Sequence, residues 1–316
     1  MAPLYLVDAS IFIFQAHFSP HMQVWSRRAE DRSAFVGFLR FMLRFLQTTQ
    51  KQGPVPLAVA FDQSLQSGFR HRLYPDYKSN RVLPDENLAR QLDACAQLCQ
   101  VLGVAGFGST EYEADDIIGT LAVSCTAADY SRHLVIVSRD KDLSQLLSGP
   151  EDCLWDFYAG THRNRDAIYQ HIGIWPEQLP CYLGLTGDSI DCIPGVPGIG
   201  PVAARQLLQR FGNLDNLYEQ LSEVTGLGFR GAARCAALLS EHRAAAMLSR
   251  ELATIVRQAP ATETFANRSV DDLWASDSDM EAFEGLLRDM ELTDDDIRRF
   301  CVQAAGLKTT RQSVVD

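Results

Sequence analysis

Nine carboxylates gather in five short clusters: Asp8 in LYLVDAS, Asp62 in LAVAFDQS, Glu113, Asp115 and Asp116 in EYEADDIIG, Asp140 and Asp142 in HLVIVSRDKDL, and Asp188 and Asp191 in LGLTGDSIDCIPG. Four of the clusters follow an apolar strand-like run or open a helix after one. In an open parallel α/β sheet, ligands bind beyond the carboxyl ends of the strands, so acids placed just after several strands converge at one edge. Like charges that close raise one another's pKa and call for a cation among them. All-oxygen donors without a Cys/His cluster select a hard ion, Mg²⁺ or Mn²⁺, over zinc. Taken singly, each acid reads as an N-cap or a solvated turn residue. The set reads as a metal site, because EADD packs three acids into four positions and Asp8 and Asp62 end apolar runs where a Ser or Thr cap would suffice. A helix N-terminus beneath EADD partly offsets its charge.

Two further segments carry chemistry. In FRHRLYPDYKSNR, residues 69–81, Arg70, Arg72, Lys78 and Arg81 face only Asp76, with Tyr74 and Tyr77 interleaved. Cations grip phosphates and aromatic rings stack on bases, which suits a nucleic-acid strand passing by, although a plain solvated loop has the same composition. In IPGVPGIGPVAARQLLQRFG, residues 193–212, Gly195, Gly198 and Gly200 permit a tight turn with exposed amides, and Pro201 opens the next helix. Amides and a positive helix terminus aimed at phosphate hold a DNA backbone without reading its sequence; a simple helix–helix turn explains the glycines equally.

The elements that must position these residues alternate. Strand-like runs at 4–7, 57–61, around Val104 and at 134–137 are separated by helical periodicity at 33–50, from Pro84 or Asp85 to about Val101, and from about Glu113. This predicts an α/β fold with a mostly parallel central sheet flanked by helices. CLWDFY at 153–158 reads as a last strand. Pro84 reads as a first-turn proline, with Gly103 and Gly149 just past helix ends. From about Trp175 onward the chain reads as helices. The divisions expected are residues 1–174, 175–260 and an acidic helical extension at 261–316, a cap on the first region or a contact surface for another protein.

With 316 residues and 46% hydrophobic content the chain can bury a large core. It has no apolar run long enough to span a membrane and no signal-peptide pattern, so the expected location is the cytoplasm. Its eight cysteines form no zinc spacing and read as reduced and structural. A net charge of −11 opposes nucleic-acid binding only until the charge is located: the nine clustered acids and the stretch from Asp271 to Asp296 hold most of it. The seven scattered histidines read as non-catalytic, and Phe12, Phe14 and Phe18 as packing beneath Asp8.

In order, VDAS, AFD, FRHRLYPDYKSNR, EYEADDIIGTLA, SRDKDLSQLL and TGDSIDCIPGVPGIGPVAARQLL resemble the bacterial and phage 5′-nuclease family of flap endonuclease-like enzymes, which includes the N-terminal domain of DNA polymerase I. The resemblance runs from residue 4 to about residue 260, and the chain looks like a free-standing member. It implies a PIN-like catalytic domain, a helical arch at about 63–90, and a helix-hairpin-helix (H3TH) DNA-binding region. Asp8, Asp62, Glu113, Asp115 and Asp116 match the acids around one metal, and Asp140, Asp142, Asp188 and Asp191 those near the second; all nine are kept here. Arg70, Lys78 and Arg81 match catalytic basic positions at the foot of the arch, with Lys78 on the scissile phosphate. Arg72, Tyr77 and the hairpin glycines join them in binding DNA, and the hairpin's carbonyls hold K⁺. Where the family commonly has Asn, this chain has Cys192, which affects a supporting hydrogen bond rather than a ligand.

The reaction implied is hydrolysis of a DNA phosphodiester between two cations about 4 Å apart, leaving a 5′-phosphate and a 3′-hydroxyl. Expected substrates are 5′ flaps, nicks and RNA-primed ends, met in primer processing and repair. Two alternatives stay open: a branched-DNA-binding protein that cuts poorly, and a metal-dependent RNase or phosphatase on a similar sheet.

Overall fold

The computed structural model describes residues 2–126 and 132–307. Six strands form one sheet: β1 (Leu4–Asp8), β2 (Leu57–Asp62), β3 (Ala105–Ser109), β4 (Leu134–Val137), β5 (Cys153–Asp156) and β6 (Thr161–Arg163), in the order β3-β2-β1-β4-β5-β6. β1 to β5 pair in parallel and β6 turns back antiparallel on β5. The expected run at 153–158 therefore splits into β5 and the turn leading to an unforeseen edge strand. β6 is three exposed residues, too short to carry a periodic signal.

Strand alternation divides the core in two. Tyr5, Val7, Leu57, Val59 and Phe61 face α1 (Ala9–His17), α2 (Ser33–Thr49) and α4 (Glu86–Val101), which follows the five-residue α3 (Phe69–Leu73). Leu4, Leu6, Ala58, Ala60 and Ile136 face α5 (Ala114–Thr126) and α6 (Arg165–Ile172). Asp85 caps α4 by accepting from the Leu88 amide, so Pro84 lies outside the helix rather than in its first turn. All eight cysteines are free.

The remaining helices are α7 (Leu179–Thr186), α8 (Pro201–Phe211), α9 (Leu214–Glu219), α10 (Ala232–Glu241) and α11 (Arg243–Ala253), around a separate core that includes Leu183, Leu207, Leu217 and Leu239. The acidic extension forms α12 (Met280–Asp289) and α13 (Asp294–Ala305). Phe283, Leu287, Ile297 and Phe300 join the core beside α2 and α4, so this stretch lies as a cap on that face of the sheet. Its acids also have local work: Arg28 meets Glu291 and Arg27 meets Asp294, while the fully buried Arg32 donates to the Met290 carbonyl at 3.0 Å. Among the described residues no helix is long and apolar enough to cross a membrane.

Candidate metal and nucleic-acid site

Strand order places the acids. The chain runs β1, β2, β3 to one side and then returns to β4 on the other, so the topological switch lies between β1 and β4, where an open sheet leaves a crevice at its carboxyl edge. Asp8 ends β1, and Asp140 follows β4 beyond Ser138 and Arg139. Asp62 ends β2 beside Asp8's strand, and Asp115 opens α5 above the same edge.

Asp8 is both a cap and a site residue. Its Oδ1 accepts from the Ser10 amide at 3.0 Å as N-cap of α1, while Oδ2 accepts from Ser138 Oγ at 2.9 Å. Asp140 likewise caps a 3₁₀ turn over Lys141–Leu146, accepting from the Asp142 amide at 2.8 Å. The local and the convergent readings of these acids thus hold at once.

The charges are crowded. Burial, tempered by the Ser138 hydroxyl and reinforced by Asp140 and Asp62, raises the Asp8 carboxyl to about 6. Burial and then Asp140 raise Asp142 to about 6. Asp115 is pushed well up by burial, Asp140 and Asp8, and Asp62 is raised by burial and Glu113. Glu113 goes the other way: Lys78 and Arg70 overcome the effect of burial and hold it near 2.

Cations and hairpin acids close the site. Lys78, only 7% exposed, has its backbone in the left-handed region (φ 50°), and its Nζ donates to Glu113 Oε2 at 2.9 Å and lies 3.8 Å from Asp191. Burial pushes its ammonium down, but Glu113, Tyr77 and Asp191 together carry it well above the usual lysine value. Arg81 donates to Asp191 Oδ1 at 2.7 Å and remains half-exposed. The Lys78 amide donates to the Asp191 carbonyl at 3.0 Å, and Asn80 Nδ2 to the Ile190 carbonyl at 3.0 Å. Lys78 to Arg81 thereby docks on the loop that carries Asp188 and Asp191.

Four expectations are corrected. Asp116 is fully buried, with Arg70 Nη1 at 2.6 Å from Oδ2 and Nη2 at 2.8 Å from Oδ1; the Val256 and Glu113 amides donate to the same carboxylate. Its carboxylate is thus committed to a buried structural ion pair with Arg70 rather than turned toward the other acids. Arg70, for the same reason, does not reach DNA: its other N–H groups donate to the Leu252 and Thr254 carbonyls. Tyr77 is 3% exposed and donates its hydroxyl to Glu113 at 3.1 Å, so no base can stack on it. Gly195 is buried with its amide donated to Ser249 Oγ at 2.9 Å, leaving Gly198 and Gly200 as the exposed glycines of the turn. Within 63–90 the helical content is α3 and the start of α4, the rest being turns and extended chain. Arg72 pairs on the surface with Glu111, 2.9 Å from its Oε2.

Two participants escaped the sequence reading. Ser138 follows a strand as an unremarkable serine, yet it fixes Asp8. Lys141, between two aspartates, carries no motif signal of its own, but its Nζ stands 3.2 Å from both Asp142 and Asp188.

The donor set suits hard cations: Asp8, Asp62, Asp115 and Asp140 are all-oxygen, partly desolvated and mutually repelling, and a divalent ion relieves that repulsion. As the side chains lie, no group of three His, Cys, Asp or Glu among the described residues is arranged to hold a metal. Lys78 and Lys141 stand among the outer acids instead.

Residues 3–173 match the family described as 5'-3' exonuclease, N-terminal resolvase-like domain, and residues 174–275 match its C-terminal SAM fold. The chain is 35% identical to DNA polymerase I of Pseudomonas aeruginosa over 308 residues, covering 96% of this chain and 32% of that one. It is 31% identical to the 5'-3' exonuclease of Buchnera aphidicola over 83% of this chain and 89% of that one. The chain thus spans about a third of the polymerase and most of the free-standing exonuclease. In fold it is similar to the phage T5 flap endonuclease solved as a pseudo-enzyme–product complex with DNA and metal ions, with a TM-score of 0.60, 18% identity and coverage of 98% of this chain and 100% of that one. With its acids at the carboxyl edge of a 3-2-1-4-5 parallel sheet and a glycine hairpin docked beside them, the chain belongs to the 5'-3' exonuclease family of the DNA polymerase I type.

Proposed function

We propose that this chain is a divalent-metal-dependent 5′ nuclease that cleaves DNA by structure, at 5′ flaps, nicks and free or RNA-primed 5′ ends. The observation that carries the proposal is the convergence of Asp8, Asp62, Asp115 and Asp140 at the switch point, with Lys78 and Arg81 directly beside them. Asp8, Asp62, Glu113 and Asp115 are the residues to hold one hard ion, and Asp140, Asp142, Asp188 and Asp191 those to hold a second. Bound Mg²⁺ or Mn²⁺ supplies an activated water and stabilises the leaving oxygen.

The chain's own groups do the rest. Ser138 and the Ser10 amide fix Asp8, so the most buried of these acids does not reorient. Lys78 stays protonated and offsets charge that develops on a phosphate, an electrostatic contribution that needs no side-chain nucleophile. Arg81, half-exposed, is the cation placed to meet a backbone phosphate first. Gly200 and Pro201 open α8 without a side-chain cap, leaving first-turn amides for a duplex phosphate. The hairpin carbonyls are the proposed K⁺ ligands. Residues 1–174 are the catalytic region in this reading, 175–260 the duplex-binding region, and α12 and α13 of the extension a cap.

The test uses a 5′-labelled flap duplex and a matching blunt duplex, with Mg²⁺ or with chelator, on the wild type and on Asp115→Asn. Metal-dependent cutting at the flap junction, lost in the variant while DNA binding persists, is expected. Binding without cutting under both Mg²⁺ and Mn²⁺ would instead favour a branched-DNA-holding protein.

A further inference from the structure

We infer that Lys141 is an internal counter-cation of the second acid group: it holds Asp142 and Asp188 together in the metal-free protein, and a divalent ion must displace it. The inference rests on the metal-site reading above and concerns a residue that reading leaves without a role.

The geometry is specific. Lys141 Nζ lies 3.2 Å from Asp142 Oδ1 and 3.2 Å from Asp188 Oδ2. Asp142 belongs to the 3₁₀ turn after β4, whereas Asp188 closes an isolated bridge with Ile193 at the mouth of the glycine hairpin. One ammonium therefore spans the sheet region and the helical region at the place where both supply acids. A monovalent charge between two carboxylates meets the same repulsion that a divalent ion meets, so the two compete for one position.

Lys141 also differs from Lys78 in the way competition requires. Lys78 is enclosed, with Nζ held by Glu113 and its own amide held by the Asp191 carbonyl. The Lys141 side chain is half-exposed and has a free path to solvent. Its release uncovers Asp142 and Asp188 without moving backbone, and leaves an ammonium at the rim where a phosphate would approach.

The experiment is calorimetric titration of the DNA-free chain with Mn²⁺, comparing wild type, Lys141→Met and Lys141→Arg. Met keeps the length and removes the charge; Arg keeps the charge and monitors folding. Losing two half-exposed ion-pair contacts should tighten Mn²⁺ binding in Lys141→Met several-fold, up to roughly 30-fold, with Lys141→Arg near wild type. A second readout is labelling of the Lys141 amine by an acylating reagent followed by mass spectrometry, which should rise on Mn²⁺ addition while Lys78 labelling stays low. Equal or weaker Mn²⁺ binding in a folded Lys141→Met, or Lys141 labelling that does not respond to metal, overturns the inference and leaves the nuclease reading intact. A wild type that takes up no Mn²⁺ overturns both.

Discussion

Arg70 and Asp116 form a buried two-pronged ion pair: the guanidinium sits 2.6 and 2.8 Å from the two carboxylate oxygens and also holds the carbonyls of Leu252 and Thr254. The pair joins α3, the start of α5 and the end of α11, so the acid cluster and the helical region share one fastening. Removing one partner of a buried pair leaves the other charged and unpaired, which costs about 3–5 kcal/mol. Asp116→Ala should therefore lower urea stability by that order, with any loss of cleavage following from misplacement of α11. Asp115→Asn should leave stability unchanged or raise it, because it relieves repulsion, and should weaken metal binding. Denaturant melts run beside Mn²⁺ titrations separate the two; equal stability losses would refute the distinct roles of these neighbours.

Acidity gives a second expectation. A carboxyl whose folded pKa is raised binds more protons in the folded than in the unfolded state, so stability falls as pH rises through the interval between the two values. Asp8 and Asp142, each raised to about 6 from an ordinary value near 4, act in the window from pH 4 to 6. Glu113, held near 2, acts oppositely: its contribution is full above about pH 4.5 and is lost as pH falls toward 2. The metal-free chain should melt higher near pH 5 than at pH 7.5. Added Mg²⁺ should reverse that order, since ligation requires the deprotonated acids. Thermal melts across pH in chelator and in Mg²⁺ decide the matter; a chelator curve rising from pH 5 to 7.5 would contradict the crowding of these acids.

Much of this was legible in the chain because the signals were periodic or punctuated. The parallel strands ended in acids, and strand ends on a switched sheet meet at one edge whatever the loops do. What was not legible was satisfaction: sequence spacing places Asp115 and Asp116 side by side, but which one faces the cleft depends on Arg70 arriving from 46 residues away. Tyr77 looked available for stacking because nothing local shows that Glu113 takes its hydroxyl. For the acidic extension, helical character was evident while its destination was open. Phe283 and Phe300 enter the core beside α2, which places α12 and α13 against that face of the sheet.

Cys192 stands with φ 57°, a left-handed conformation that a residue with a Cβ adopts at a cost and that Asn tolerates better. Its thiol accepts a long hydrogen bond, 3.9 Å, from Ser79 Oγ. Cys192→Asn should raise stability by roughly 0.5–1 kcal/mol without altering Mn²⁺ stoichiometry, since the neighbouring Asp191, proposed above to hold metal, keeps its bonds to Lys78 and Arg81. Chemical denaturation and metal titration of the variant test both halves, and a loss of stability would show that the thiol's packing outweighs the strain of its backbone.

Two glycines of the hairpin should respond differently to the same change. Gly195 has φ 65°, and a Cβ there would lie 2.2 Å from the Gly187 nitrogen and 2.6 Å from the Thr186 carbonyl carbon, backbone atoms that cannot rotate away. Gly187 is itself left-handed and adjoins Asp188, so the displacement passes directly to an acid of the site. Gly200 has an ordinary φ of −98° and open space around the position a Cβ would take. Gly195→Ala should thus destabilise the helical region by several kcal/mol and abolish flap-duplex binding, whereas Gly200→Ala should fold normally and weaken duplex binding only by crowding the first turn of α8. Melts and fluorescence-anisotropy titrations with the flap duplex compare them. Were Gly200→Ala to fold like the wild type and bind equally well at low and high salt, α8's N-terminus would not be a phosphate contact, and the duplex would have to lie against another face of the helical region.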